Sequence, residues 1–277
     1  MAHLGKINEL RIIEKNHQGC TLEAGHLGHV FLPNKWLDEN LTTNDTIKVF
    51  LYLDTNDEIA ATTLTPKIQL HQCAYLKCVD MNKTGAFFDW GLPKDLMVPY
   101  AEQPYKIYPD LYYSLYMYQD SASKRLVGSL KLSKFLNEYN TDFQAKQKVD
   151  VFIVAKSSLG FKAVINKTHL GLFHHSEVFK PIRLGQNYKA YIKDIREDKK
   201  INLCFNLPNA QQLGTLATKI LEDLKQNSGV SLMTDKSAPS EIYAKWNVSK
   251  ASYKKALGAL YRQKLITLSK EKIQLVN

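Results

Sequence analysis

Asn82-Lys83-Thr84-Gly85-Ala86-Phe87-Phe88-Asp89-Trp90-Gly91-Leu92-Pro93-Lys94-Asp95-Leu96-Met97-Val98-Pro99 is the stretch from which the fold can be read. A polar turn leads into Gly85, and the four residues after it alternate as a half-buried strand does, Ala86 and Phe88 on one face, Phe87 and Asp89 on the other. Trp90 to Pro93 breaks the strand, and Leu96-Met97-Val98 is a short apolar return ended by Pro99. Looser copies lie on both sides. Gly19 leads to His29-Val30-Phe31-Leu32-Pro33, and Gly160 leads to Leu172-Phe173-His174-His175-Ser176, so the marker glycines are 66 and 75 residues apart. A unit of that length is too long for a solenoid repeat and suits a small barrel that closes on itself.

Each copy resembles the S1 domain, an OB-type five-stranded barrel, most closely at Gly171-Leu172-Phe173-His174-His175-Ser176. GAFFDWGLPKDLMVP, Gly185 to Leu203 (GQNYKAYIKDIREDKKINL) and Ser249 to Ile266 (SKASYKKALGALYRQKLI) are similar to the CvfB-like proteins. That resemblance implies S1 repeats with a C-terminal winged helix, and a bacterial RNA-binding protein that acts post-transcriptionally on gene expression. The expected fold is mainly β: three tandem S1/OB-type five-stranded barrels, then an α+β winged-helix domain. The expected domains are 1–65 (divergent and acidic), 66–134, 146–208 (basic) and 209–277.

The 277 residues carry a formal net charge of +10, unevenly distributed: −4 over residues 1–66, +3 over 67–134, +5 over 135–208 and +6 over 209–277. A polyanion would meet the C-terminal half. No apolar run approaches the roughly 18 residues a membrane span needs, and the N-terminus has no signal-peptide core, so a cytoplasmic location is expected. Cys20, Cys73, Cys78 and Cys204 form no C-x-x-C pair and read as buried reduced thiols.

Repeat 1 lacks the aromatic pair after its glycine, and its acidity repels phosphate. It reads as a spacer or protein-contact module whose removal leaves most RNA affinity; Phe31 and Trp36 either offer a stacking surface or, as a lone aromatic on a barrel more often does, belong to the core. Its strands are expected at 5–13, 19–23, 29–32, 46–53 and 59–63. In repeat 2, Phe87 either stacks on a base or packs against a neighbouring domain. The tyrosines at 105, 108, 112, 113, 116 and 118 divide between two strand faces, so half are core. Asp89 and Asp95 invite a metal but suit turn formation better. Residues 133–148 read as a linker with helical spacing at Phe135, Leu136 and Tyr139.

Repeat 3 places Lys162 where repeat 2 has Phe87, and His174 where the S1 pattern has its histidine. Lys189 lies along the next strand. Arg196, Lys199 and Lys200 sit on a charged hairpin tip, which is either a solvated turn or a clamp on a nucleic-acid backbone. His169, His174 and His175 lack the carboxylate or cysteine that would complete a compact metal set.

The tail changes period from two to 3.6. Helices are expected at 211–226, at 240–246 with Ser237 or Ser240 as cap and Pro239 at its start, and from Ser249, the last with Tyr253, Ala256, Leu257, Leu260 and Tyr261 inward. A two-stranded wing closes the chain. Lys250, Lys254 and Gly258 share the outer face of the third helix, which could meet a phosphate or remain solvated. No catalytic set, metal site or cofactor motif stands out. The reading is a non-catalytic binder of single-stranded RNA, with protein contacts open to domain 1 or the winged helix. The alternatives are a DNA-binding transcriptional regulator acting through the winged helix, or a ribosome- or ribonuclease-associated factor.

Overall fold

The computed structural model describes residues 1–178, 181–207 and 210–276, the side chains of 210–214 excepted, so the boundary expected at 208/209 lies outside the described residues. The chain divides into two compact units, Met1–Leu136 and Asn137–Asn277. The first unit holds two five-stranded sheets. One contains β1 (Ile7–Lys15), β2 (Gly19–Glu23), β3 (His29–Pro33), β4 (Thr46–Leu53) and β5 (Ile59–Thr62), in the order β3-β2-β1-β4-β5. The other contains β6 (Cys73–Asn82), β7 (Gly85–Asp89), β8 (Leu96–Pro99), β9 (Tyr112–Gln119) and β10 (Leu126–Ser129), in the equivalent order β10-β9-β6-β7-β8. In the second unit β11 (Lys148–Lys156), β12 (Gly160–Ile165), β13 (His169–His174), β14 (Asn187–Ile195) and β15 (Ile201–Cys204) close into a barrel through a parallel β13–β15 pair.

The repeat has a steric cause. Gly19, Gly85 and Gly160 each open the second strand of a module, where the third strand crosses closely. A Cβ there would stand 2.2 Å from the Leu32 carbonyl oxygen, 2.4 Å from that of Val98 and 1.8 Å from that of Phe173. Only glycine allows that approach. The first strand of every module also carries a bulge at the same place, between Ile12 and Glu14, Cys78 and Asp80, and Ile153 and Ala155. The extra residue bends the strand, so one strand can pair with the second on one side and the fourth on the other. The first strand begins at Ile7 instead of residue 5 because Gly5, at φ 73°, is still in the turn.

Phe50 of β4 belongs with the core of the second sheet, where it meets Trp90 edge-on at 5.6 Å alongside Ile68 and Leu76. At the rim, the Arg125 guanidinium donates to Asp57, and the Lys94 ammonium donates to the Asp54 carbonyl. The first two modules therefore share apolar area and charge-assisted hydrogen bonds. The acidic turn Asp54–Asp57 serves an intramolecular contact. Phe31 is 43% exposed and is not core.

In β9 the inward set is Tyr113, Leu115 and Met117, so one tyrosine of the six faces the core and Tyr105, Tyr108 and Tyr112 remain exposed. Tyr116 is covered from outside by Phe135, stacked at 4.7 Å. The linker is not helical. A single 3-10 turn, Leu132–Lys134, delivers Phe135 onto Tyr116 and Tyr118, and Phe143, hydrogen-bonded at N–H and C=O by the Asn140 side chain, enters the core of the third barrel.

In the tail, α1 (Ala210–Gln226), α2 (Pro239–Trp246) and α3 (Lys250–Arg262) pack Leu216, Ile220, Leu224, Ile242, Tyr253, Leu257 and Leu260 together. Behind them lies a three-stranded sheet of β16 (Val230–Ser231), β17 (Ile266–Leu268) and β18 (Ile273–Leu275), one strand more than expected. Ser249 Oγ accepts from the Ser252 N–H at 2.9 Å and caps α3. Neither Ser237 nor Ser240 caps α2. Ala238 holds the cap position and Glu241 reaches back to its N–H at 3.3 Å, while Ser237 Oγ accepts from Thr234. Tyr261 is 55% exposed, because the buried stripe 253-256-257-260 leaves it one step around the helix.

Candidate functional site

The outward position two residues after each marker glycine is put to a different use in each module. Strand register pairs Thr21 with Phe31, Phe87 with Met97, and Lys162 with Leu172. In the third barrel Lys162 lines a groove of about 260 Å³ together with Arg196, Lys200, Glu138 and the apolar side chains of Leu159, Leu170, Leu172 and Ile201. The groove follows from barrel closure. The parallel pairing of Leu172 with Asn202 brings the β14–β15 tip, which carries Arg196 and Lys200, beside β12 and β13.

The tip is built by its own hydrogen bonds. Arg196 N–H donates to the Lys200 carbonyl at 3.0 Å and Lys199 N–H to the Arg196 carbonyl at 2.9 Å, with Lys199 left-handed at φ 60°. That turn leaves Lys199 out of the groove lining, while Arg196 and Lys200 enter it. Arg196 also pairs with Asp198 at 3.2 Å. Lys189 is directly opposite Asp150 across β11–β14 and ion-paired with it, apart from the groove.

His174 Nε2 lies 3.2 Å from Asn202 Oδ1, and Asn202 Nδ2 donates to Asp194 at 2.7 Å, which aims the imidazole along the sheet. His175 Nε2 lies 3.2 Å from the Ser157 carbonyl oxygen. His169 is buried between the hydroxyls of Thr141 and Thr168, at 3.1 and 2.9 Å, and burial lowers its pKa despite the nearby Asp142. The three histidines serve three separate neighbourhoods. Among the described residues no group of three or more His, Cys, Asp or Glu side chains could hold a metal ion.

In the first unit Phe87 is half-buried on the wall of a second cleft of about 410 Å³, shared with Tyr52, Trp90, Lys94, Asp95 and Arg125. Asp89 is held by the Lys67 ammonium and the Gly91 N–H, which keep its carboxyl below the ordinary range. The four cysteines are free, and burial pushes Cys73 up to about 12 and Cys204 to about 11, so neither is a ready thiolate.

On α3 the Lys250 ammonium donates to the carbonyls of Lys236 and Ser237, at 3.2 and 2.9 Å, and so ties down the loop before α2. Lys254 is exposed with Asp235 at 3.9 Å. A Cβ on Gly258 would meet open space, so packing does not require glycine there. Of the expected residues, Lys162, Arg196 and Lys200 converge, Phe87 occupies a different cleft, His174 is oriented by Asn202, and Lys189, Lys199, Lys250 and Lys254 lie elsewhere.

A buried carboxylate recurs 17 residues after two of the marker glycines and was not anticipated. Glu102 accepts from Ser129 Oγ and the Lys134 ammonium, both at 2.5 Å, and Glu177 accepts from Lys193 at 2.8 Å. Repeat 1 has Trp36 at that position. The shared offset was the signal that could have found the pair.

Comparison with known proteins shows similarity at both ends of the chain. Residues 4–64 match the S1 domain, and residues 218–275 match the CvfB-like winged helix domain. The chain is 28% identical over 248 residues to the uncharacterized protein YitL of Bacillus subtilis, which covers 84% of this chain and 80% of YitL. It is 28% identical over 256 residues to conserved virulence factor B of Staphylococcus aureus and 26% identical over 256 residues to that of Staphylococcus saprophyticus, in each case covering 86% of this chain and 82% of the relative. A crystal structure of a multidomain protein with nucleic acid binding domains from Streptococcus pneumoniae covers 99% of this chain and 98% of its own at 25% identity, with a TM-score of 0.42. The resemblance to the CvfB-like family is thus borne out. Among the described residues no helix is long and apolar enough to cross a membrane.

Proposed function

We propose that this chain, with its S1 domain and CvfB-like winged helix, is a non-catalytic protein that binds single-stranded RNA and acts in bacterial post-transcriptional gene regulation. The observation that carries the reading is the third-barrel groove, which Lys162, Arg196 and Lys200 line together with three leucines and an isoleucine. Cations neutralise phosphates and release condensed counterions, and the apolar lining offers contact to the faces of unstacked bases. Phe87 adds a ring on the equivalent strand of the second module. A single strand can present its sugar and base edges to the groove. The alternative led by α3 as a DNA-reading helix is weaker, because the Lys250 ammonium is already engaged by two carbonyls.

Titration of a labelled single-stranded RNA against double-stranded DNA of equal length tests the reading. RNA is expected to bind more tightly, with a strong dependence on salt. Tighter binding of the duplex would transfer the function to the winged helix.

A further inference from the structure

Asp95 sits in the 410 Å³ cleft with Phe87, Tyr52 and Trp90, and among the described residues nothing donates a hydrogen bond to its carboxylate. Its neighbours are all committed. Lys94 and Arg125, from the same cleft, are turned to Asp54 and Asp57 of the first module. Asp89, which the β7–β8 register carried one pair further places opposite Asp95, has Lys67 and the Gly91 N–H. Trp90 donates its indole N–H to the Lys94 carbonyl. The Asp95 carboxylate is half-buried and opens into the cleft, and burial, together with Asp89 and Asp80, pushes its pKa above the ordinary value.

The geometry points to a nucleobase subsite in this cleft, in which one guanine of the bound RNA stacks against Phe87 and gives its N1–H and N2 amino hydrogens to the two oxygens of Asp95. An ionised carboxylate only accepts, so it selects for donors. Guanine alone among the four RNA bases presents two adjacent donors on its pairing edge; adenine and cytosine offer one amino group and uracil one imide. The cleft volume lies within the range that holds small ligands. Its walls are preformed, since Arg125 and Lys94 fasten the Asp54–Asp57 turn across it, and a preformed site loses less on binding.

This inference rests on the proposed binding of RNA and adds a base preference to it. The test uses the full chain and short oligouridines that carry one central guanosine, inosine or adenosine, read by fluorescence anisotropy. Inosine lacks only the 2-amino group. Guanosine is expected to bind about tenfold or more tightly than inosine, the effect of one hydrogen bond to a charged group, and more tightly still than adenosine. In Asp95→Asn the guanosine-to-inosine ratio should fall to about twofold or less, because one acceptor oxygen is lost. A photoreactive 6-thioguanosine at the same position should crosslink to residues 87–97. Equal affinities on the wild type, a folded Asp95→Asn protein that keeps the ratio, or crosslinks outside the first unit would each overturn the subsite while leaving RNA binding in place. Failure of the wild type to bind any of the oligonucleotides would overturn the RNA reading itself. If Asp95→Asn does not fold, the inosine comparison and the crosslink decide.

Discussion

Replacing Lys162, Arg196 and Lys200 together by glutamine tests the third-barrel groove with a quantity the structure sets. Each phosphate contact to a single strand contributes about 0.7 to the log–log slope of affinity against salt, so losing three flattens it by about 2.1. A fourfold rise in salt should then cost the wild type about 18-fold more affinity than the triple variant. Lys199 is the internal control: it lies on the same tip with the same charge, but its left-handed backbone keeps it out of the groove. Lys199→Gln should change the slope by less than about 0.3. The Asp198 partner of Arg196 makes that residue the weakest contributor of the three. The assay is anisotropy of a labelled single strand across a salt series, repeated with a second sequence, and the loss should be equal for both because phosphate contacts carry no base information. An unchanged slope in the triple variant, or a Lys199→Gln effect as large as that of any groove cation, would refute the reasoning and leave only diffuse surface charge.

Phe87→Ala should weaken RNA binding by about 1–3 kcal/mol in a titration, with the melting temperature nearly kept, since Phe88 supplies the buried ring. Gly160→Ala should destabilise by at least the upper end of the about 1–3 kcal/mol that overpacking costs, whereas Gly258→Ala should stabilise by up to about 1 kcal/mol, both read by denaturant unfolding. Burial raises the Glu102 carboxyl, but hydrogen bonds from Lys134 and Ser129 outweigh it and carry the pKa below its ordinary 4.5. The stability it contributes is therefore full above that value and lost as pH falls through the lowered one, and Glu102→Gln should flatten the acid limb of the melting-temperature profile below pH 4.5. Truncation at Thr65 should lower the melting temperature of the remainder and shift Trp90 emission to the red, since Phe50 and Tyr52 leave the core they share with it; an unchanged spectrum would show that the core of the second module does not depend on the first.

The modules were legible because their defining requirement is local. A glycine whose absent Cβ lets a carbonyl within 2.4 Å or less has no substitute, so the chain marks it at positions 19, 85 and 160. The change of period after residue 210 marked the helices in the same way, because each helical or strand position repeats its own exposure. Which cations share a groove is not local. Lys162 meets Arg196 and Lys200 only because β13 and β15 close the barrel in parallel, and Lys199 is excluded by one left-handed residue. The charge pattern alone treats Lys250 like any other lysine, yet the fold places two carbonyls against its ammonium. The sequence by itself determined the faces, the repeat and the basic half, since backbone sterics and apolar periodicity act between near neighbours. Tertiary structure decided which charges stay available, because an ion's partner is chosen by whatever distant strand or loop comes within hydrogen-bond reach.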